Sequence, residues 1–293
     1  MKYTFKQFQA EYPDDAACLD EIMRQQYGGM EFECPACKRA SKFHRIAKRR
    51  AYSCQWCAHH IYPCVGTPFE KSRTPLTSWF FAMYLMTSTR HGVAAKELER
   101  QLGVTYKCAW RIAHELRKLM AQADYHGPMS GVVEIDETMV GGKRKGKRGR
   151  GAAGKTLIFG MVEREGAIRA GPVPDATRRT LEPTILTNVQ RGSTIVTDEF
   201  ASYDGLRKSG PYRHLRVQHN LKEYARGIAH VNTLEGHWSR LKNSIKGTHV
   251  HVSGKHMWKY VSEFSYRRNM RASHRAMFDL LVWSFALPRL TDD

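Results

Sequence analysis

Between Leu76 and Leu119 apolar residues return every three or four positions, first in Leu76, Trp79, Phe80, Met83, Leu85 and Met86, then in Leu98, Leu102, Trp110, Ile112, Leu116 and Leu119. That period lines one stripe of a helix, so residues 76–121 are predicted to be helical throughout, within a helical segment spanning 66–126. Near residue 130 the pattern changes. Val132-Val133-Glu134-Ile135-Asp136, the run from Thr156 to Val162, and Thr194-Ile195-Val196-Thr197-Asp198 are short apolar stretches of strand length. After about residue 230 helical spacing returns, through Glu235, through Trp258 to Asn269, and in an apolar helix around Phe278 to Phe285. Residues 127–293 therefore predict an α/β domain.

Three stretches fit neither pattern. Residues 1–33 lean acidic and predict a short helical lead-in. Residues 34–65 open on a polar, basic stretch with a cysteine pair at each end. Residues 141–155 carry seven Lys or Arg and no acid among glycines, a composition that cannot pack a core.

The cysteine pairs change the picture most. Cys34-Pro35-Ala36-Cys37 and Cys54-Gln55-Trp56-Cys57 each present two thiolates from a tight turn, with sixteen residues between the pairs. This is the spacing of four tetrahedral ligands to a structural zinc ion, with His59 and His60 as alternative ligands. A redox CxxC occurs once and beside a βαβ pattern, which is missing here. Cys18, Cys64 and Cys108 have no partner at ligand spacing and are expected to be small core residues. Lys38, Arg39, Lys42, Arg45, Lys48, Arg49 and Arg50, with no acid among them, suggest contact with phosphates.

Overall charge agrees. The chain has 47 basic against 28 acidic residues, a formal net charge of +19, which points to a polyanionic partner, and nucleic acid leads. No run approaches the roughly 20 apolar residues that cross a bilayer, and none resembles a signal peptide, so a cytoplasmic, DNA-associated protein without a membrane partner is expected. Within the helical segment, a short helix ends at Gly103 and Thr105 caps a second one through Arg117. This is helix-turn-helix spacing, with Tyr106, Lys107 and Arg111 facing a DNA groove. Plain helical hairpins share that pattern.

Asp136 closes one apolar run, Asp198 closes another 62 residues on, and Glu235 lies 37 residues further, on a helix. A lone strand-end Asp is usually a terminator or a helix cap. Three carboxylates brought together repel one another unless a cation neutralises them, and hard oxygens suit Mg²⁺ or Mn²⁺. Two such ions about 3.5 to 4 Å apart serve in-line phosphoryl displacement. Strand alternation sends Glu137 and Glu199 to the faces opposite Asp136 and Asp198. Trp238 and Lys242 share a helical face with Glu235, where Lys242 would reach a phosphate, and His230 and Asn232 stand just upstream.

With these residues in view, the chain resembles the zinc-ribbon DDE transposases of bacterial insertion sequences, insertion sequence family 1595, over nearly its whole length. The similarity runs through Cys34 to Cys57, Gly66-Thr67-Pro68-Phe69, Pro75 to Phe80, Gly131 to Gly142, and Thr197-Asp198-Glu199-Phe200 with Ser202-Tyr203. Its most specific stretches are His230 to Lys242 and Glu263 to Asn269. The resemblance implies an RNase H-like mixed sheet flanked by helices, with Asp136, Asp198, Glu235 and Lys242 as catalytic residues. It also implies cleavage of terminal repeats and joining of 3′ ends to target DNA by a dimer or higher oligomer. Lys107, Arg111, Lys143, Arg144, Lys145, Lys147, Arg148 and Arg150 are the expected DNA contacts. A retired transposase acting as a DNA-binding regulator, or a nuclease of the same fold, stays open at this point.

Overall fold

A computed structural model describes residues 2–124, 127–141, 154–198, 200–209, 211–217, 230–287 and 290. The chain divides into two compact units, one formed by residues 1–123 and 270–293 and the other by Asp124–Asn269.

The first unit begins with helices α1 (Phe5–Glu11) and α2 (Asp15–Tyr27), each started by a side chain that accepts a backbone N–H: Thr4 from Gln7 and Asp14 from Ala17. A four-stranded antiparallel sheet follows in the order β1 (Glu31–Glu33), β2 (Ala40–Arg45), β3 (Tyr52–Cys54), β4 (His60–Ile61). The sheet therefore starts three residues before the first cysteine, inside the stretch expected to be helical lead-in. Phe32 stacks on Phe43 at 4.3 Å between centroids, which draws the short first strand into the ribbon.

Helices α3 (Leu76–Ser88), α4 (Ala95–Leu102) and α5 (Tyr106–Ala123) occupy the predicted helical segment. Gly103 ends α4 in the left-handed conformation, φ 64°, where its N–H bonds Glu99 O. Thr105 Oγ1 then accepts from Cys108 N, as the spacing predicts. The second helix runs past Arg117 to Ala123 because its buried stripe of Ile112, Leu116, Leu119 and Met120 continues without a break.

The second unit is a mixed five-stranded sheet flanked by helices. Its strands are β5 (Val132–Val140), β6 (Thr156–Glu163), β7 (Ile168–Pro172), β8 (Thr194–Thr197) and β9 (Arg213–Arg216), in the order β7-β6-β5-β8-β9. The β5-β6 and β6-β7 pairs are antiparallel, whereas β8 runs parallel to both β5 and β9. Helices α6 (Arg178–Asn188) and α7 (Asp204–Ser209) flank the sheet, with a 3₁₀ turn over Ala201–Tyr203, and α8 (Asn232–Ser244) and α9 (Gly254–Asn269) follow. Alternation splits the core into two layers. Ile158, Val162 and Ile168 pack against Leu234, Trp238 and Leu241 of α8 and Val261 and Phe264 of α9. Val133, Ile135 and Phe159 pack against Leu181, Ile185, Tyr203 and Leu206.

The last helix, α10 (His274–Trp283), returns to the first unit, where Phe278 lies against Tyr3, Phe8 and Tyr12. The α/β unit thus spans 124–269 and lacks the C-terminal helix expected in it. The apolar stripe of that helix marks it as buried but carries no signal of which core receives it. Among the described residues no helix is long and apolar enough to cross a membrane.

Candidate active site and metal centre

β5 carries Glu134, Asp136 and Thr138 toward α8 and α9, and Val133, Ile135 and Glu137 toward the opposite layer. Asp136 is not at the strand's end, as the apolar pattern suggested. It stands in the middle, paired with Gly160 on β6, at the place where the parallel pairing to β8 gives out. Val132, Val133 and Glu134 face Thr194, Ile195 and Val196. Asp198 is the residue that follows β8, the parallel neighbour of β5.

Gly160 decides how α8 sits over these strands. A Cβ there would meet two indole carbons of Trp238 at 2.5 Å, so the missing side chain is what admits the ring. Trp238 Nε1 donates to Asp136 Oδ2 at 3.0 Å. Glu235 and Lys242, three residues before and four after Trp238, share its side of the helix.

Both other acids act electrostatically on Asp136. Burial, then the charges of Asp198 and Glu235, push the Asp136 carboxyl up to about 6 against hydrogen bonds from the Glu137 backbone and Trp238. Burial lowers Lys242, which the Asp136 charge opposes and Lys155 reinforces. Asp198 Oδ1 accepts from Phe200 N at 3.0 Å. The three carboxylates are in electrostatic range without forming a set of mutual ligating distance; among the described residues only the four cysteines do so, within 4.8 Å. Glu137 turns away, as alternation requires, to the buried Tyr203 phenol, which burial and then Glu137 push upward.

Sequence reasoning missed a second carboxylate on the same face. Glu134 is fully buried. Its Oε2 accepts from Thr233 N at 3.0 Å, and its Oε1 from Thr233 Oγ1 at 2.9 Å and Arg164 Nη2 at 3.0 Å. His230 Nδ1 lies 3.4 Å from Oε1, while Asn232 is exposed at the start of α8. The position of Glu134 two residues before Asp136 was a usable signal; nothing local in the sequence points to Arg164.

In the ribbon, the two knuckles repeat one geometry. Cys34 N bonds Arg39 O and Lys38 N bonds Cys34 O; Cys54 N bonds His59 O and Ala58 N bonds Cys54 O. Lys38 and Ala58, each after the second cysteine of its pair, both take left-handed φ, 58° and 56°. Cys34 and Cys57 sulfurs are 3.7 Å apart, and those of Cys37 and Cys54 3.9 Å. The edge of a tetrahedron with Zn–S bonds of about 2.3 Å is about 3.8 Å, so the four sulfurs fit zinc. Burial works against Cys54 ionising, yet donors from Ser41, Cys57 and Trp56 hold its thiol down to about 6, favouring the thiolate a metal needs. Neither His59 nor His60 joins the cluster.

The other predicted contacts divide. Lys107 and Tyr106 are exposed. Arg111 is exposed too, but its guanidinium lies 5.3 Å above the Trp79 ring and bonds Ser72 Oγ. In the ribbon, Lys38, Arg39, Lys48 and Arg49 are exposed, whereas Arg45 pairs with Asp20 and Arg50 donates to Ser72 O and Thr74 O. Lys143, Arg144, Lys145, Lys147, Arg148 and Arg150, and with them Glu199, lie outside the described residues.

Residues 128–269 match the ISXO2-like transposase domain. Over 258 residues the chain is 30% identical to an uncharacterized protein in the transposable element ISH50 of Halobacterium salinarum, an alignment covering 81% of this chain and 85% of that protein.

Proposed function

Since this chain belongs to the ISXO2-like transposases, we propose that it cleaves the ends of an insertion sequence and joins the freed 3′ ends to target DNA, with Asp136, Asp198 and Glu235 as its catalytic acids. One observation carries the reading: acids from distant segments lie within electrostatic range, so that burial first, and then the charges of Asp198 and Glu235, raise the carboxyl of Asp136. The mixed sheet with helices on both faces supports an RNase H-like fold for residues 124–269.

The donor set is all carboxylate, which suits Mg²⁺ or Mn²⁺, and these acids would hold it. When bound, the metal activates the attacking oxygen and stabilises the leaving one in a phosphoryl displacement. Trp238 holds the rotamer of Asp136 through Oδ2. Lys242, within electrostatic reach of Asp136, offers its ammonium to a DNA phosphate. Lys107, Arg111, the exposed ribbon cations and the basic segment 143–150 hold the DNA, and the four cysteines hold a structural zinc ion. Two element ends must be joined, so the working form is a dimer or higher oligomer on DNA.

The test incubates the protein with duplexes bearing the element's terminal repeats, a plasmid target and Mg²⁺ or Mn²⁺. Asp136→Asn, Asp198→Asn and Glu235→Gln should each abolish cleavage and joining while leaving DNA binding intact. Undiminished strand transfer by Asp136→Asn overturns the assignment. Cleaved but unjoined ends indicate a nuclease, and chelator-insensitive binding with no cleavage indicates a regulator.

A further inference from the structure

Glu134 is a buried carboxylate that the proposed chemistry does not use. Burying a charge is costly unless it is paired and fully hydrogen-bonded. Glu134 meets that condition only by joining three segments. Arg164, in the turn after β6, supplies the countercharge at 3.0 Å, and Thr233 supplies two donors, its amide to Oε2 and its hydroxyl to Oε1.

Thr233 is the second residue of α8, and its amide is one of the unsatisfied N–H groups that open every helix. A carboxylate here caps the helix and complements its positive end. Unlike an ordinary cap, this one comes from another element: the acceptor stands on β5, 99 residues earlier. Asp136 follows two positions later on the same strand face, and Glu235 follows Thr233 by two on the same helix.

We propose that Glu134 is a positioning residue that sets the separation of Asp136 and Glu235 by tying the first turn of α8 to β5. This rests on the reading of those two acids as catalytic. The contact fixes one end of α8, and Trp238 seated over Gly160 fixes the next turn, so the helix can neither slide nor rotate over the strand. Partners that orient metal-binding groups typically contribute 10–100-fold to metal affinity or activity.

Glu134→Gln is nearly isosteric but puts an amide NH₂ against a donor in either orientation, losing one side of the clamp. In the full-length protein we expect Mn²⁺ binding, read from the free-ion electron paramagnetic resonance signal, to weaken at least about tenfold. We also expect faster hydrogen exchange at the amides opening α8, with DNA-end binding unchanged. Equal Mn²⁺ affinity in a folded Glu134→Gln protein overturns the proposal. If that variant does not fold, Thr233→Val removes one of the two α8 donors, and the same two readouts decide. Wild-type protein that binds no Mn²⁺, or Asp136→Asn protein that binds it as well as wild type, defeats instead the assignment of the acids.

Discussion

Asp136→Asn should stabilise the protein free of Mg²⁺ and Mn²⁺ at neutral pH while removing its activity. The native carboxyl titrates at about 6, against an ordinary value of 3.8. At about 1.4 kcal/mol per pH unit, the ionised form is disfavoured in the fold by about 3 kcal/mol. Because the folded value is the higher one, the unfolded chain binds fewer protons between pH 4 and 6, and stability falls as pH rises through that window. Asparagine never pays this cost and still accepts the Trp238 N–H through its carbonyl oxygen. Thermal unfolding of the zinc-loaded protein without added Mg²⁺ or Mn²⁺ should therefore place the variant roughly 6–12 °C above wild type at pH 8, with most of the gap closed at pH 4. Saturating Mg²⁺ should raise the wild-type midpoint at pH 8 and leave the variant nearly unmoved. A variant equally destabilised at both pH values would refute the reasoning, since Asp136 would then act as an ordinary hydrogen-bonded strand residue.

Gly160→Ala should cost about 1–3 kcal/mol in urea unfolding, because the added methyl strikes the Trp238 ring. A neutral substitution would mean the helix is free to move away. The ribbon should hold one zinc ion per chain by elemental analysis. Chelation or Cys54→Ser should unfold its sheet, as structural zinc contributes on the order of 10–16 kcal/mol, and a metal-free ribbon with intact circular dichroism would contradict this. Lys107→Ala should weaken binding of all DNA sequences alike and reduce the slope of log affinity against log salt by about 0.9; an unchanged slope removes Lys107 from the interface.

Much of this architecture was readable in advance because it obeys local rules. The ribbon announces itself through cysteine spacing, and α4 and α5 through Gly103 and Thr105. The two apolar runs that pair as β5 and β8 are visible because both are buried on two faces. The position of Asp136 within its strand was not readable, since β5 continues for β6's sake along residues that alternate less clearly. Nor was the role of Gly160, although an isolated glycine in an apolar strand marks a close approach in general. Its partner, Trp238, stands 78 residues away. Glu134 shows the same limit: a glutamate in a hydrophobic run looks like a solvent-facing position until Arg164 and Thr233 enclose it. That Asp136 and Glu137 face opposite layers, by contrast, followed from strand alternation alone.

The path of the chain through its two units bears on how the protein is made. Residues 124–269 are an insertion, and Asn269 at its exit donates to Asp124 at its entrance at 2.9 Å. The aromatic cluster of Tyr3, Phe8 and Tyr12 is completed by Phe278, and that of Phe69 and Phe80 by Phe285. On the ribosome, the segment bearing the ribbon must wait with its core open until the whole inserted unit has been synthesised. A product broken off before α10 would lack the Phe278 and Phe285 rings that complete these clusters.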